Sequence, residues 1–318
     1  MSAWSHLTPL EALGRARTLD QLADASGIIV GAAADHRDAL RAVLARHGLD
    51  VDDATVGALK AQVARSLAGA ASLLLLDIEL GLPAAIEQGA LGGATALVVP
   101  LEAQGYGDVA TIAETTLMDG WSPAAARRVG ATACKLLLPF RIDVPEQAER
   151  QVAVAARCAA ACRAEGTVLV LEPIVYTRAG EVHAPERYAE LVVEGARRLA
   201  AIDPGLLKVQ YPGSAAACAA LDEACGRATP WVLLGGGASE EVLVEQVEQA
   251  CAAGASGFIV GRTLWSDALV PDEGERERIL AERPGPRLAR LAAIARGRAT
   301  PWRERVGPLP TLGDPRAG

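Results

Sequence analysis

"GLLKVQYPG" (205–213) is a run of strand length that is apolar along both faces apart from one lysine, Lys208, and one glutamine, Gln210. A strand with one wet face alternates apolar and polar residues, whereas a strand covered on both faces reads as a near-continuous apolar run. The same kind of run recurs in "GIIVGAAAD" (27–35), "ASLLLLDI" (71–78), "ATALVVPL" (94–101), "ATACKLLLPF" (131–140), "TVLVLEPIVY" (167–176), "PWVLLGGG" (230–237) and "GFIVGR" (257–262). With 206–212 that makes eight strands. Helix signals lie between them: Ser122-Pro123, Asp143 with Pro145 before "EQAERQVAVAARCAAACRAEG", and Ser239 before "EEVLVEQVEQACAAG". Eight strand-and-helix units over about 250 residues are the count and length of a closed (β/α)8 barrel. The reading is therefore α/β, a single TIM barrel domain over 1–318, ahead of an open doubly wound sheet. The Pro/Gly-rich end is expected to form a poorly ordered tail over 303–318.

Composition narrows the partners. The 318 residues are 51% hydrophobic and carry a net charge of −8 with the two signs interspersed, so no basic patch invites nucleic acid. No stretch reaches the ~18 uninterrupted apolar residues of a membrane span, and the N-terminus lacks a basic start followed by an apolar run. Cys134, Cys158, Cys162, Cys218, Cys225 and Cys251 fall in strand or helix patterns without a C-x-x-C pair, which reads as reduced core thiols in a cytoplasmic protein. His6, His36, His47 and His183 show no paired-ligand spacing, and Asp77 and Glu79 are expected to cap their loop rather than hold Mg2+, so no metal is expected. A small metabolite is the expected partner.

The chain has only three lysines. Lys60 lies on a helix whose apolar positions Val56, Leu59, Val63 and Leu67 face inward, and it is expected to point into water. Lys135 and Lys208 sit inside apolar strands, where a charge costs several kcal/mol unless it is paired or loses its proton. In a barrel the active site lies at the C-terminal ends of the strands. Asp35 and Arg37, Asp77 and Glu79, Lys135, Glu172, and Lys208 with Gln210 all lie at or near such ends. Two lysines and one carboxylate leave a cation short of a partner, and a neutral amine in a dry pocket is a nucleophile for a ketone or aldehyde. A buried ion-pair network that only fills the barrel is the plainer alternative. Gly235, Gly236 and Gly237 after strand seven, with Gly261 and Arg262 after strand eight, occupy the positions where barrels commonly bind phosphate.

In order and spacing, "AAADHRDAL", "LLDIELGLPA", "EAQGYGD", "GATACKLLLPF", "LEPIVY", "LLKVQYP", "GGGAS" and "GFIVGRTLW" resemble the class I tagatose-bisphosphate aldolases and their sulfofructose-phosphate aldolase relatives. The resemblance implies a lyase of carbohydrate metabolism in which Lys208 forms a Schiff base, Glu172 transfers protons, Lys135 stands beside it and Asp35 meets a substrate hydroxyl. The loop glycines and Arg262 would hold a phosphate. The substrate would be a phosphorylated ketose such as tagatose 1,6-bisphosphate, cleaved without a metal or any other cofactor to dihydroxyacetone phosphate and a three-carbon aldehyde. A sulfosugar phosphate is the alternative in the same class, and a non-catalytic sugar-phosphate-binding barrel the alternative in another; a homo-oligomer is compatible with either. The chain departs from the family pattern at His36, where glutamine is usual, at Gln210, where an acidic residue is common, and at Gly235, where serine often lies. All three positions face the substrate, so they bear on which ketose is taken.

Overall fold

The computed structural model describes residues 3–103, 114–226 and 228–309. Its eight strands are β1 (Ile29–Ala33), β2 (Leu73–Leu75), β3 (Ala96–Pro100), β4 (Ala133–Pro139), β5 (Leu169–Ile174), β6 (Gly205–Gln210), β7 (Trp231–Leu234) and β8 (Gly257–Val260). All pair in parallel and in sequence order, and β1 pairs with β8 to close the barrel. Ser122 and Ser239 cap their helices as expected, accepting hydrogen bonds from Ala125 N and Val242 N. Asp143 does not cap the helix Pro145–Ala164; its carboxylate is taken up by Arg141 and Arg187.

Alternation along each strand sorts the core into two layers. Val30, Leu74, Val99, Leu136, Leu171, Leu207, Leu233 and Val260 face outward and pack with the surrounding helices. Ile29, Leu73, Val98, Ala133, Val170, Leu206, Val232 and Ile259 face inward. The inward layer also contains Trp4, Leu19, Leu22, Trp302 and Val306, so the N-terminal helix Pro9–Leu22 and the short helix Trp302–Val306 plug the bottom of the barrel. Continuing the inward parity up the first six strands gives Asp35, Asp77, Glu102, Lys135, Glu172 and Lys208 as the first polar residues, of which Asp77 is taken up by Lys60. Apolar packing thus fills the lower barrel and leaves the polar side chains at the open end.

Two expectations are corrected. The end of the chain is ordered through its short helix: Arg305 is buried and donates to Asp222 and to the carbonyls of Thr229, Gly226 and Gly254. Trp302 and Val306 need the plug to bury them, a role that a Pro/Gly-rich composition hides; residues 310–318 lie outside the described residues. Lys60 does not reach water. It is only 1% exposed and donates to Asp77, whose other oxygen accepts from Leu80 N (2.8 Å) and Gly81 N (3.2 Å). Gly81 makes room for the pair, since a β-carbon there would lie 2.8 Å from Asp77 Oδ1 and 3.2 Å from Lys60 Cδ. Among the described residues no helix is long and apolar enough to cross a membrane.

Candidate active site

A cavity of about 280 Å³ opens at the C-terminal ends of the strands, with Asp35, Lys135, Glu172 and Lys208 in its floor and walls. Lys208, on β6, places its Nζ 3.0 Å from Glu172 Oε1 on the neighbouring β5. Lys135, on β4, reaches the same carboxylate from the other side, 3.3 Å from Oε2. Its Nζ also lies 3.1 Å from Asp35 Oδ2 and 2.5 Å from Glu102 Oε1. Glu172 therefore bridges two lysines that differ in what else surrounds them. Among the described residues Lys208 has one carboxylate within ion-pair distance and Lys135 has three.

This arrangement corrects the charge count made from the sequence. Three carboxylates face two lysines, so there is no surplus cation. Burial works against the charged form of Lys135, yet Asp35, Glu102 and Glu172 outweigh it and hold the ammonium well above the ordinary lysine range. Burial likewise opposes ionisation of Asp35, and the cations around it, Lys135 foremost, pull its carboxyl well below the usual range. Glu102 goes the other way: burial raises it despite Lys135. Lys135 is thus a fixed cation. Lys208 is distinguished by its single partner and its place on the cavity wall.

Glu102 was not among the residues expected from the strand ends. It follows β3 directly, accepts from Leu137 N at 3.2 Å through Oε2, and is fully buried. The available signal was its position as the first polar residue after "ATALVVPL", the same rule that points to Asp35 after the first run.

The other candidates divide. Gly235, Gly236, Gly237, Gly261 and Arg262 line the cavity on the β7–β8 side. Gly236 and Gly237 have φ of +60° and +76°, conformations that favour glycine and turn the backbone of this loop along the cavity. The Arg262 guanidinium lies against Gly237, and among the described residues no carboxylate pairs with it. Arg37 is not brought into the cavity. It is buried beside it, donating to Glu79 and to the Glu102 carbonyl (2.8 Å), because the inward parity of β1 ends at Asp35 and the chain then turns into the helix Asp38–Arg46. Asp77 and Glu79 are occupied by Lys60 and Arg37 and likewise do not reach the cavity. Gln210 does, with Oε1 accepting from Val175 N at 2.7 Å.

His36 also lines the cavity, its ring edge-on to Trp265 at 6.4 Å between centroids. Gly261 leaves it space: a β-carbon there would lie 3.1 Å from His36 Cε1. Burial, reinforced by Arg262, Lys208 and Lys135 and opposed by Asp35, brings the imidazole down to about 4. The ring is neutral at physiological pH, and its Nδ1 is buried without a hydrogen-bond partner. Glu172 Oε2 is similarly buried without a hydrogen bond. Both are polar atoms beside the cavity with bonding capacity to offer a ligand. Among the described residues no group of three or more His, Cys, Asp and Glu side chains is arranged to hold a metal ion.

Chemically, the site couples an amine to a carboxylate within proton-transfer distance, sets a permanent cation behind that carboxylate, and offers a guanidinium with exposed backbone at one side of the mouth. Known proteins carry the same fold. A Schiff-base-forming fructose-1,6-bisphosphate aldolase superposes with a TM-score of 0.62 at 17% identity, over 88% of this chain and 99% of that one. The fructose-bisphosphate aldolase of Plasmodium falciparum superposes with a TM-score of 0.69 at 17% identity, over 91% and 96%. In sequence, the chain is 30% identical over 279 residues to tagatose 1,6-diphosphate aldolase 1 of Enterococcus faecalis, covering 80% of this chain and 84% of that protein. It is 28% identical to the tagatose 1,6-diphosphate aldolase of Lactococcus lactis, covering 91% and 98%. Residues 29–267 match the profile of the DeoC/LacD family aldolases, a span that holds all eight strands and every side chain of the cavity. The chain belongs to the DeoC/LacD family of aldolases.

Proposed function

We propose that this protein is a class I aldolase that cleaves a phosphorylated ketose to dihydroxyacetone phosphate and a three-carbon aldehyde, with Lys208 as the nucleophile. The observation that carries the reading is the contact of Lys208 Nζ with Glu172 Oε1 at 3.0 Å, beside a second lysine that three carboxylates keep charged. The names of the relatives supply tagatose 1,6-bisphosphate as the first substrate to try.

The phosphate next to the ketone rests on the glycine loop and Arg262, which brings the carbonyl carbon over Lys208. Glu172 takes a proton from Lys208, and the amine lone pair attacks the carbonyl carbon to give a carbinolamine. Glu172 returns the proton to the carbinolamine hydroxyl, water leaves, and a protonated iminium forms. The C4 hydroxyl then gives its proton to Glu172 as the C3–C4 bond breaks. The bonding pair flows into the iminium, leaving an enamine on Lys208 and releasing the aldehyde. Protonation of the enamine carbon and addition of water free dihydroxyacetone phosphate and restore the amine. Lys135 stays charged throughout, orienting Glu172 and Asp35, and Asp35 meets a substrate hydroxyl. No step calls on a metal, because the iminium is the electron sink.

The reading places the enzyme in the cytoplasm, where its substrate and reduced thiols belong. The test is retro-aldol cleavage of a panel of ketose phosphates, read as dihydroxyacetone phosphate released with and without exhaustive EDTA treatment. Cleavage unaffected by EDTA is expected. Activity lost to EDTA and restored by a divalent cation would contradict the reading.

A further inference from the structure

We infer that the preferred substrate is a ketose 1-phosphate whose far end carries no second phosphoryl group, so that the aldehyde released is uncharged; this rests on the aldolase reading above. In an eight-stranded ring β4 stands opposite β8, so the cavity has two distinct ends about Lys208. The β7–β8 end has the glycine loop and Arg262. The β4–β6 end is lined by Leu137, Ile174 and Gln210, one above each of Lys135, Glu172 and Lys208 in the inward parity of the three strands. Two are hydrocarbon, and the third already accepts from Val175 N. A phosphate dianion set against this wall would lose water without meeting a cation.

The cations closest to that end in the chain are already committed. Lys135 is enclosed by three carboxylates. Arg141, just past β4, is buried, paired with Asp143 and Glu181, and stacked on Tyr176. Residues 104–113, which follow β3, include no lysine, arginine or histidine in their sequence. The one exposed arginine in the segment after β5 is Arg178, which does not line the cavity. By contrast an apolar wall with one amide suits a hydroxymethyl or methyl terminus.

The experiment compares kcat/KM for a ketose 1-phosphate and the 1,6-bisphosphate of the same sugar, in the tagatose and fructose configurations. An enzyme that grips the second phosphate with an arginine favours the bisphosphate by about tenfold or more. Here the 1-phosphate should be cleaved at least as efficiently, Arg262→Ala should lower both values together, and Leu137→Arg should shift the ratio toward the bisphosphate. A tenfold preference of the unmodified enzyme for the bisphosphate overturns the inference. If Arg178→Ala then abolishes that preference, the cation that overturns it lies in the β5 segment. Borohydride trapping of dihydroxyacetone phosphate, which has one phosphate in any case, separates the two claims. An adduct together with a bisphosphate preference sinks only this inference, and no adduct sinks the aldolase reading with it.

Discussion

Lys135 and Lys208 both lie in apolar strands, and the division of work proposed for them rests on their different surroundings. With three carboxylates about it, Lys135 has no free electron pair to offer; Lys208 shares one carboxylate and lies on the cavity wall. Glu172 joins the two, so Glu172→Gln keeps the shape of the side chain while removing the proton acceptor. Its kcat should fall at least about a hundredfold with the fold intact by circular dichroism. A smaller loss would move the proton-transfer role to Asp35. His36 yields a second prediction at this scale. Folding lowers its pKa from near 6.5 to about 4, so between those values the unfolded chain binds the extra proton and the native state loses stability as pH falls. His36→Gln removes that titration. From about pH 6.5 down to about pH 4, the wild type should therefore lose stability relative to the variant, at up to about 1.4 kcal/mol per pH unit. Urea midpoints measured in parallel check it, and a difference that does not change with pH would show that the ring is not held neutral.

At the scale of elements, Lys60 shows what a single helix conceals. Its helical position points toward another element, where Asp77 at the end of β2 and the bare backbone of Gly81 await it. Periodicity reports which face of a helix is apolar, but not that a partner from elsewhere will cover a polar residue. Lys60→Met leaves Asp77 buried with only its two backbone donors, and should cost about 3–5 kcal/mol in urea unfolding while leaving the cavity residues in place. A loss below about 1 kcal/mol would mean that Asp77 finds water or a proton without cost. The strands themselves were legible because each is a short apolar run between turn residues, although β2 proves to be only Leu73–Leu75. The N-terminal helix carries a local signal, the reciprocal cap of Thr8 and Glu11 ahead of Pro9, but nothing local says that Leu19 and Leu22 meet Trp302 beneath the barrel.

Across the whole molecule, inward parity explains why the polar residues of the candidate cavity stand out in the sequence. Lys135, Glu172 and Lys208 break apolar runs, and Asp35 closes one, so each is visible against its neighbours. Glu102 keeps the inward parity of Ala96 and Val98 but stands just past the apolar run, and Arg37 follows the turn after Asp35, where alternation no longer says which way a side chain turns. The packed helical layer makes a further claim that can be measured. All six cysteines are buried and free, and burial raises Cys158 to about 11 and Cys218, Cys225 and Cys251 to about 12. The native protein should resist a maleimide at pH near 8, and all six thiols should react in denaturant. Prompt labelling of the native protein would contradict this packing.

The central claim is that one particular amine bonds to carbon. Borohydride reduction in the presence of dihydroxyacetone phosphate, followed by peptide mass mapping, reads it directly. The adduct should fall on Lys208, vanish in Lys208→Ala, and persist in part in Lys135→Ala if that variant folds. An adduct on Lys135 would reverse the roles of the two lysines, and no adduct on a folded protein that still binds the phosphate would contradict Schiff-base catalysis at this site.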